Sequence, residues 1–385
     1  MSVSLTVVRR LALISLLVLV AVPAARGADP PPLPPRPQLA SDRAQFLHLA
    51  EQGLAQTKKL WWNSGLGWYN DRLDDTDRLP LATLWSAYPL FEATNAVAIA
   101  RPTAASRAAV NAFAAKAVRY WDPNVKPSGG FSYYYTSKGG WNAYFDDNGW
   151  WGLAFIDAYR ATGNRRWLGQ AARALRFMDS AGWDWAAGGM WWDTDHHHKT
   201  SEPLAAATLI AASLYRTTHK PAYLKLAKKY LAWANAKTVN RKTGLYGRSD
   251  TDGTEMDYVE GMFIAAHAEL CAATKSRAYC GKARQLANAA LNHFPIDADW
   301  APETDVIYLR WLIDLYERDR NPRWYAVVYR NAQRAVASAR DSQGLWSQRW
   351  DGTWTKPGML RTQAGTLALL AWMSVPAPPT KLTWR

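Results

Sequence analysis

The stretch "EPLAAATLIAASLYRTTHK", Glu202 to Lys220, and the stretch "PAYLKLAKKYLAWANAK", Pro221 to Lys237, together predict a helical hairpin. Apolar residues recur in both at i, i+3, i+4 and i+7, the spacing of one face of an α-helix. Pro221 suits the first turn of the second helix, where its missing N–H is not needed. The short connection between the two makes them antiparallel neighbours.

The same pattern continues along the chain, and we predict twelve helices from it. They span residues 42–59, 79–98, 103–121, 147–161, 165–180, 200–217, 220–236, 255–273, 277–293, 303–318, 322–339 and 358–373. A phrase of glycine followed by aromatic residues recurs as "GLGWYND" from residue 65, "GGFSYYY" from 129, "GGMWWDTD" from 188, "GLYGRSD" from 244 and "GLWSQRW" from 344, with "FPIDADWAPE" from 294 as a weaker sixth. Such a period indicates an array of similar supersecondary units.

Six helical hairpins, each with one aromatic loop, predict an all-α fold. We expect a closed toroid of two concentric helix layers; an open solenoid of the same hairpins is the alternative. The helices that follow the aromatic loops are the most apolar and alanine-rich, so they should form the inner layer. All six loops would then gather at one end of the barrel.

The first 27 residues have the composition of a secretory signal peptide. Arg9 and Arg10 precede an apolar run, and small residues precede a plausible cleavage point near Gly27. The apolar run is shorter than the ~20 residues of a membrane span, although an uncleaved anchor is the alternative. We therefore predict export to the periplasm or the medium. Residues 28–40 would be a proline-rich linker, residues 41–375 the folded domain and residues 376–385 a tail.

The net charge of the 385-residue chain is +14. The predicted signal peptide contains three arginines and no acids, so the remainder has a charge of about +11. This charge favours anionic partners such as cell-wall polymers or a membrane surface. The cations are spread along helix faces and form no recognised nucleic-acid motif, so we predict no nucleic-acid partner. The 22 tryptophans and 18 tyrosines offer flat apolar platforms for sugar rings.

Two cysteines, Cys271 and Cys280, lie close together in the sequence. In an exported protein such a pair predicts a disulfide, here from the end of one helix to the start of the next. Two buried free thiols are the alternative. Two cysteines are too few for a zinc site of their own.

The stretch "YFDDNGWWGLAFIDAYRATGN", residues 144–164, places Asp146 and Asp147 side by side at the start of an apolar helix. Retaining glycoside hydrolysis needs two carboxyl groups about 5–5.5 Å apart, one as nucleophile and one as proton donor. At a helix start two neighbouring acids can face one cleft. The helix N-terminus favours the ionised form, and the close like charge raises the pKa of one member. Helix capping is the simpler alternative.

This stretch resembles the signature of glycoside hydrolase family 76, the endo-α-1,6-mannanases. The similarity extends from Ser41 to Trp372 and includes "GGMWWDTD", "KTSEPLAAATLIAASLYR", "MDYVEGMFIAAHAELCAATKS" and "GLWSQRWDGTW…RTQAGTLALLAW". The resemblance implies an (α/α)6 barrel. It also implies that Asp146 is the nucleophile and Asp147 the general acid/base.

Three positions depart from the family's usual pattern. Asn148 stands in place of a Gln, Val259–Glu260 replace Asn-Gln before Gly261, and Lys199–Glu202 differ from Lys-Asn-Ala-Xaa-Ser-Asn. We expect all three at inner-helix starts that line sugar subsites.

Further residues near the aromatic loops are candidates for substrate binding. They are Tyr144, Trp150, Trp151, Trp191, Trp192, Asp195, Asp257, Tyr258 and Trp346. Among Trp191 and Trp192 we expect one sugar platform and one core residue. No metal site is predicted, because the consecutive side chains of His196–His198 do not converge and "SDTDGTEMD" lacks the spacing of a calcium loop.

The sequence thus predicts a monomeric glycosidase that needs no cofactor and cleaves α-1,6-linked mannan internally, through a covalent glycosyl-enzyme intermediate. A transglycosylase of the same family is one alternative. A catalytically silent glycan-binding protein and an (α/α)6 enzyme acting on uronates are the others.

Overall fold

The computed structural model describes residues 29–74, 81–135, 143–353 and 358–384, and the predicted signal peptide lies outside them. Within these residues there are twelve α-helices, as predicted. They are α1 Arg36–Trp61, α2 Leu84–Ala100, α3 Ala104–Ala117, α4 Phe145–Thr162, α5 Arg165–Phe177, α6 Ser201–Thr218, α7 Pro221–Lys237, α8 Asp257–Thr274, α9 Arg277–His293, α10 Pro302–Asp319, α11 Pro322–Ser338 and α12 Leu360–Met373.

The helices form two concentric layers. Each even-numbered helix packs against the next even-numbered one, and α12 packs against α2, which closes the ring. The inner helix α4 buries 14 of its 18 residues, whereas the outer helix α7 buries four of 17, a stripe along one side. The fold is therefore the predicted closed (α/α)6 barrel, and the open solenoid is excluded. No helix in the described part of the chain is both long and apolar enough to cross a membrane.

The largest difference from the predicted boundaries is at the start of the domain. Helix α1 begins at Arg36 instead of residue 42, so the predicted linker 28–40 is partly helical. Pro37 lies in the first turn, where a proline needs no hydrogen-bond partner for its nitrogen, and Leu39 is fully buried. Residues 29–35, which contain five of the prolines, have no regular secondary structure, whereas Pro37 belongs to the helix.

The predicted C-terminal tail, residues 376–385, also contacts the barrel. The hydroxyl of Tyr316 donates a hydrogen bond to the carbonyl of Ala377 at 2.9 Å. Leu382 and Trp384 pack against the edge of the hydrophobic core. The folded unit thus extends beyond residue 375.

Five of the six connections from an outer to an inner helix contain a short antiparallel pairing. Two are the strand pairs β1 Trp62–Asn63 with β2 Trp68–Tyr69, and β3 Trp121–Asp122 with β4 Gly130–Phe131. Single bridges form the other three, Trp183 to Met190, Val239 to Tyr246 and Arg340 to Trp346. The connection between α9 and α10, which contains the weak sixth phrase, has no such pairing.

The glycine of each phrase has a structural role in these turns. Gly67, Gly129, Gly188, Gly244 and Gly344 have φ between 69° and 81°, a region that residues with a Cβ rarely adopt. The residue that follows the turn returns into the core, and all five such residues are buried: Trp68, Phe131, Met190, Tyr246 and Trp346. Four of these five residues are aromatic, so the aromatic at this position of the phrase is a packing residue.

Cys271 and Cys280 form the predicted disulfide, with their Cα atoms 4.9 Å apart. It joins the last turn of α8 to the first turn of α9. The prediction of a bond between adjacent helix ends is confirmed.

Candidate active site

A cavity of about 410 Å³ opens at the end of the barrel where the inner helices begin. Its walls are mostly aromatic, and they include three acids. The lining residues are Thr83, Trp85, Tyr133, Tyr144, Asp146, Asp147, Trp150, Trp192, Glu202, Tyr258, Trp300 and Thr304.

Four of the lining residues occupy the same position in successive inner helices. Trp85, Asp146, Glu202 and Tyr258 are the second residues of α2, α4, α6 and α8. Since these helices pack side by side with their N-termini at one end, equivalent positions lie at one level of the barrel. The positive ends of the helix dipoles point towards the same space and favour negative charge there.

Two N–H groups hold the carboxylate of Asp146 in place. Its Oδ1 accepts a hydrogen bond from the backbone N–H of Asp147 at 2.9 Å, and its Oδ2 accepts one from the indole N–H of Trp192 at 3.1 Å. Burial raises the pKa of Asp146 to about 6, while these hydrogen bonds act in the opposite direction. Asp146 is thus oriented at both oxygens, and the two hydrogen bonds offset part of the effect of burial on its anion.

Asp147 is 6% exposed and follows Asp146 in the first turn of α4. Burial, together with the negative charge of Asp146, raises the pKa of Asp147 well above its usual range. The two neighbouring acids therefore differ in proton affinity, and Asp147 is the one more strongly inclined to keep its proton. This is the division between proton donor and nucleophile that two-carboxylate glycoside hydrolysis requires.

Capping alone does not account for this geometry. The residue at the N-cap of α4 is Tyr144, and its side chain makes no capping hydrogen bond. Asp146 does accept one N–H group of the first turn, but its other oxygen is bound to Trp192 across the cavity wall.

Residues 50–371 match the family model described as glycosyl hydrolase family 76. The chain belongs to this family. It is therefore a glycoside hydrolase. The sequence matches no curated protein.

Solved structures share the fold. A GH76 α-mannanase of Bacteroides thetaiotaomicron is 22% identical, with a TM-score of 0.75 over 88% of this chain and 97% of that chain. An inactive variant of the α-1,6-mannanase GH76A of a Salegentibacter species, in which two consecutive aspartates are replaced by alanine, is in complex with α-1,6-mannotetrose. It is 17% identical, with a TM-score of 0.71 over 86% of this chain and 99% of that chain. A cellobiose 2-epimerase of Bacillus thermoamylovorans is 13% identical, with a TM-score of 0.65 over 86% and 99% of the two chains.

The cavity of this family 76 enzyme brings together six of the residues that the sequence indicated. These are Tyr144, Asp146, Asp147, Trp150, Trp192 and Tyr258. Trp191 and Trp192 lie in two different environments, but both are only partly buried, so neither is the core residue that was expected. Trp192 lines the cavity, whereas Trp191 stacks on His196, with ring centroids 5.0 Å apart, and lines a second cavity of about 580 Å³.

Two predicted substrate-binding residues belong to the core instead. Trp151 is fully buried, and its indole N–H donates to the carbonyl of Ala117 at 3.1 Å. Consecutive residues of a helix differ in direction by about 100°, so Trp150 faces the cavity while Trp151 faces the outer helix α3. Trp346 is 1% exposed because it is the residue that returns into the core after the turn at Gly344.

Asp195 and Asp257 do not line the cavity. Asp195 is exposed on the loop before α6, near enough to the Tyr144 hydroxyl to contribute to raising its pKa, which burial raises most. Asp257 accepts a hydrogen bond from the backbone N–H of Tyr258 at 2.7 Å at the start of α8. Burial raises the pKa of Asp257 to about 7.

Two of the three departures from the family pattern are loop anchors. The amide oxygen of Asn148 accepts a hydrogen bond from the backbone N–H of Phe131 at 2.8 Å, and a carboxyl oxygen of Glu260 accepts one from Tyr246 at 2.6 Å. Both are fully buried. The expectation that they line subsites is wrong, since the fourth residue of the helix faces the preceding loop. Only Glu202, from the third departure, reaches the cavity.

Sequence reasoning missed five lining residues: Thr83, Trp85, Tyr133, Trp300 and Thr304. Glu202 was expected near a subsite as part of the third departure, but it was not among the predicted substrate-binding residues. Trp85 and Glu202 share the helix position of Asp146, and this shared position was the signal available. Trp300 lies in the weak sixth phrase and is 52% exposed at the cavity rim, with its ring 5.5 Å from that of Tyr258.

The three histidines contact different partners. His196 stacks on Trp191, the Nδ1 of His197 lies 2.5 Å from an oxygen of Asp193, and the ring of His198 lies 5.0 Å from that of Trp192. Among the described residues no group of three or more His, Cys, Asp or Glu side chains is arranged to hold a metal ion.

Proposed function

We propose that this protein hydrolyses α-1,6-linked mannan within the polymer and retains the anomeric configuration. The observation that carries the proposal is the pair Asp146 and Asp147, adjacent on one wall of an aromatic cavity and unequal in proton affinity. The α-1,6-mannotetrose complex of a structural relative lacking two consecutive aspartates supports the choice of substrate.

Asp146 is the nucleophile in the proposed reaction. Its carboxylate attacks the anomeric carbon while Asp147 gives its proton to the glycosidic oxygen, so the bond to the leaving sugar breaks as the glycosyl-enzyme ester forms. Asp147, now ionised, then takes a proton from water, which attacks the anomeric carbon and releases Asp146. The Trp192 indole holds Asp146 in its orientation throughout.

The aromatic walls would bind the sugar rings. Tyr144, Trp150, Trp192 and Tyr258 are proposed to contact the sugars next to the cleaved bond, because they lie beside the acids. Trp191 and Asp195 lie farther out, and we assign them to sugars beyond these. The flat apolar faces of the rings stack on such side chains, while hydroxyls bind at the polar edges.

Export is part of the proposal. Its support is the pattern of residues 1–27, a basic start followed by an apolar run and small residues. The disulfide between Cys271 and Cys280 agrees with an oxidising compartment.

The test compares three Asp→Asn variants on α-1,6-mannan. We expect Asp146→Asn and Asp147→Asn each to lower kcat by about 10³-fold or more, because each removes one of the two acids on which the reaction depends. Asp319→Asn is the matched control. Asp319 also accepts one backbone N–H, from Asn321, and one indole N–H, from Trp324, but it lies at the end of α10, at the opposite end of the barrel.

Equal loss of activity in all three variants, or activity kept in Asp147→Asn, contradicts the assignment. Proton NMR of the anomer that is released first tests whether the configuration is retained. An α product is expected, and a β product excludes a covalent intermediate on Asp146. Longer products would indicate transfer to a sugar. Activity confined to uronic-acid polymers would overturn the choice of substrate.

A further inference from the structure

Glu202 is a third acid in the catalytic cavity, and the reaction described above does not use it. It is the second residue of α6, as Asp146 is of the neighbouring inner helix α4. Its side chain is 8% exposed and lines the cavity. The negative charge of Asp146 is one of the causes that raise the pKa of Glu202, so the two carboxyls interact across the same space.

The partners of Glu202 hold it at one side of the cavity. Its Oε1 accepts a hydrogen bond from the Tyr258 hydroxyl at 3.1 Å and lies 3.8 Å from the Nε of Arg248. Tyr258 lines the same cavity, whereas Arg248 lines the second cavity together with Trp191. The pair of Glu202 and Arg248 therefore stands where the two cavities meet.

The free protein leaves hydrogen-bonding capacity unused at this point. The Oε2 of Glu202 is buried and has no hydrogen-bond partner among the described residues. A buried polar oxygen without a donor is costly. This alone does not set Glu202 apart, because Oε2 of Glu303, the second residue of α10, is in the same condition. Glu303 differs in that it is paired with Arg361 at 2.9 Å and does not line the cavity.

We propose that Glu202, with Tyr258, is a positioning residue that hydrogen-bonds hydroxyl groups of the sugar beside Asp146, on the side that leads to the second cavity. A carboxylate can accept hydrogen bonds from two neighbouring hydroxyls of one sugar ring. Every mannosyl unit has such neighbouring hydroxyls. This inference rests on the proposed function, because it assumes that the sugar next to the catalytic pair belongs to the substrate.

The pH dependence of KM tests the role of Glu202 separately from the loss of its hydrogen bonds. Burial raises its pKa to about 7, so its charge changes between about pH 6 and 8. Binding of substrate hydroxyls by an acceptor should therefore strengthen as pH rises through this range. A glutamine at this position does not titrate, so the corresponding pH dependence of KM should disappear.

The experiment measures kcat and KM of Glu202→Ala, Glu202→Gln, Glu303→Ala and Glu303→Gln on α-1,6-mannotetraose between pH 5 and 9. We expect Glu202→Ala to lower kcat/KM by about 10- to 100-fold, mainly through KM, because hydrogen bonds to a charged group are lost. Glu202→Gln should recover most of this and lose the change in KM near pH 7. The two Glu303 variants should match the wild type in kcat, KM and pH profile.

Two results would overturn the inference. One is Glu202→Ala with wild-type kinetics. The other is a parallel fall of kcat/KM and Tm in Glu202→Ala and Glu303→Ala, which would indicate a structural role. Binding of mannotetraose to Asp147→Asn and to Asp147→Asn with Glu202→Ala, measured by calorimetry, separates the two proposals. Mannan left intact by the wild type rejects the proposed function, while equal affinity of the two variants rejects the role of Glu202.

Discussion

Helices α4 and α10 each have aspartates near both ends, and the two ends hold these aspartates in different ways. At the cavity end, Asp146 and Asp147 start α4, and Asp305 lies in the first turns of α10. Within the described part of the chain, none of these three forms an ion pair with an arginine or lysine. At the opposite end, Asp157 of α4 and Asp314 of α10 are both paired with arginines.

The far end of the barrel contains a network of ion pairs across the inner helices. Arg310 lies between Glu92 of α2 and Asp157 of α4. Arg318 contacts Asp314 at 2.8 Å and Glu269 of α8 at 2.6 Å. Burial alone would raise the pKa of Asp314, but the charges of Arg318 and Arg160 outweigh it and lower the pKa to about 2.

At the cavity end no arginine among the described residues outweighs the effect of burial on the pKa of Asp147 or Asp305. Burial and neighbouring acids raise the pKa of Asp147 and of Asp305 well above the usual range. On α10, Asp314 is thus held ionised at one end, whereas Asp305 is inclined to hold its proton at the other. Groups with strongly shifted pKa values are concentrated at functional sites, where the arrangement that catalysis needs lowers the stability of the fold.

The largest effect that tests this contrast is expected from Asp314→Asn. Loss of this charge leaves Arg318 and Arg160 with one partner fewer, and we expect the free energy of unfolding at pH 7 to fall by about 3 kcal/mol. Because the folded pKa lies below the unfolded value, the contribution of Asp314 is present above about pH 4 and is lost as pH falls towards 2. Urea denaturation at pH 7 and at low pH measures it.

Asp305→Asn is the matched change at the cavity end of the same helix. The asparagine still accepts the backbone N–H of Trp300, which Asp305 binds at 3.1 Å, while the repulsion from nearby acids is removed. Its free energy of unfolding at pH 7 should be unchanged or higher. A similar loss in both variants would show that the two ends do not differ in the way described.

A smaller effect of opposite sign is expected from Asp147→Asn, which should stabilise the protein by about 1–2 kcal/mol at pH 8. The folded pKa of Asp147 lies above the unfolded value, so wild-type stability is fully present at low pH and falls as pH rises above the unfolded pKa. The gain should therefore vanish near pH 4. Thermal melts at the two pH values check it, and a variant less stable than wild type at pH 8 contradicts it.

The pH profile of activity gives the finest test of the cavity end. The proposed reaction requires Asp146 ionised and Asp147 protonated, so kcat/KM should be bell-shaped, with its acidic limb centred near pH 6. Activity falls about tenfold for each pH unit below that limb. Asp314→Asn should leave both limbs in place. A flat profile between pH 5 and 9 would contradict the unequal pair.

The sequence determined most of the fold. The apolar spacing predicted twelve helices, and most observed boundaries lie within three residues of the predicted ones, because amphipathic periodicity depends on local sequence. Local sequence also predicted the disulfide between Cys271 and Cys280. It likewise predicted that Asp146 and Asp147 lie at the start of a helix. The proline-rich composition misled only at the start of α1, where Pro37 lies inside the helix.

The tertiary structure decided which side chains face the cavity. Trp150 and Trp151 are neighbours in the sequence, yet one lines the cavity and the other fills the space between helix layers. The repeated glycine-aromatic phrases supply residues of both kinds, since Trp346 fills the core whereas Trp192 lines the cavity. Glu202 joins Asp146 only because α4 and α6 pack side by side at one level. Such neighbours are set by the packing of the inner helices against one another, because periodicity within one helix does not show which side chains of the next helix it meets.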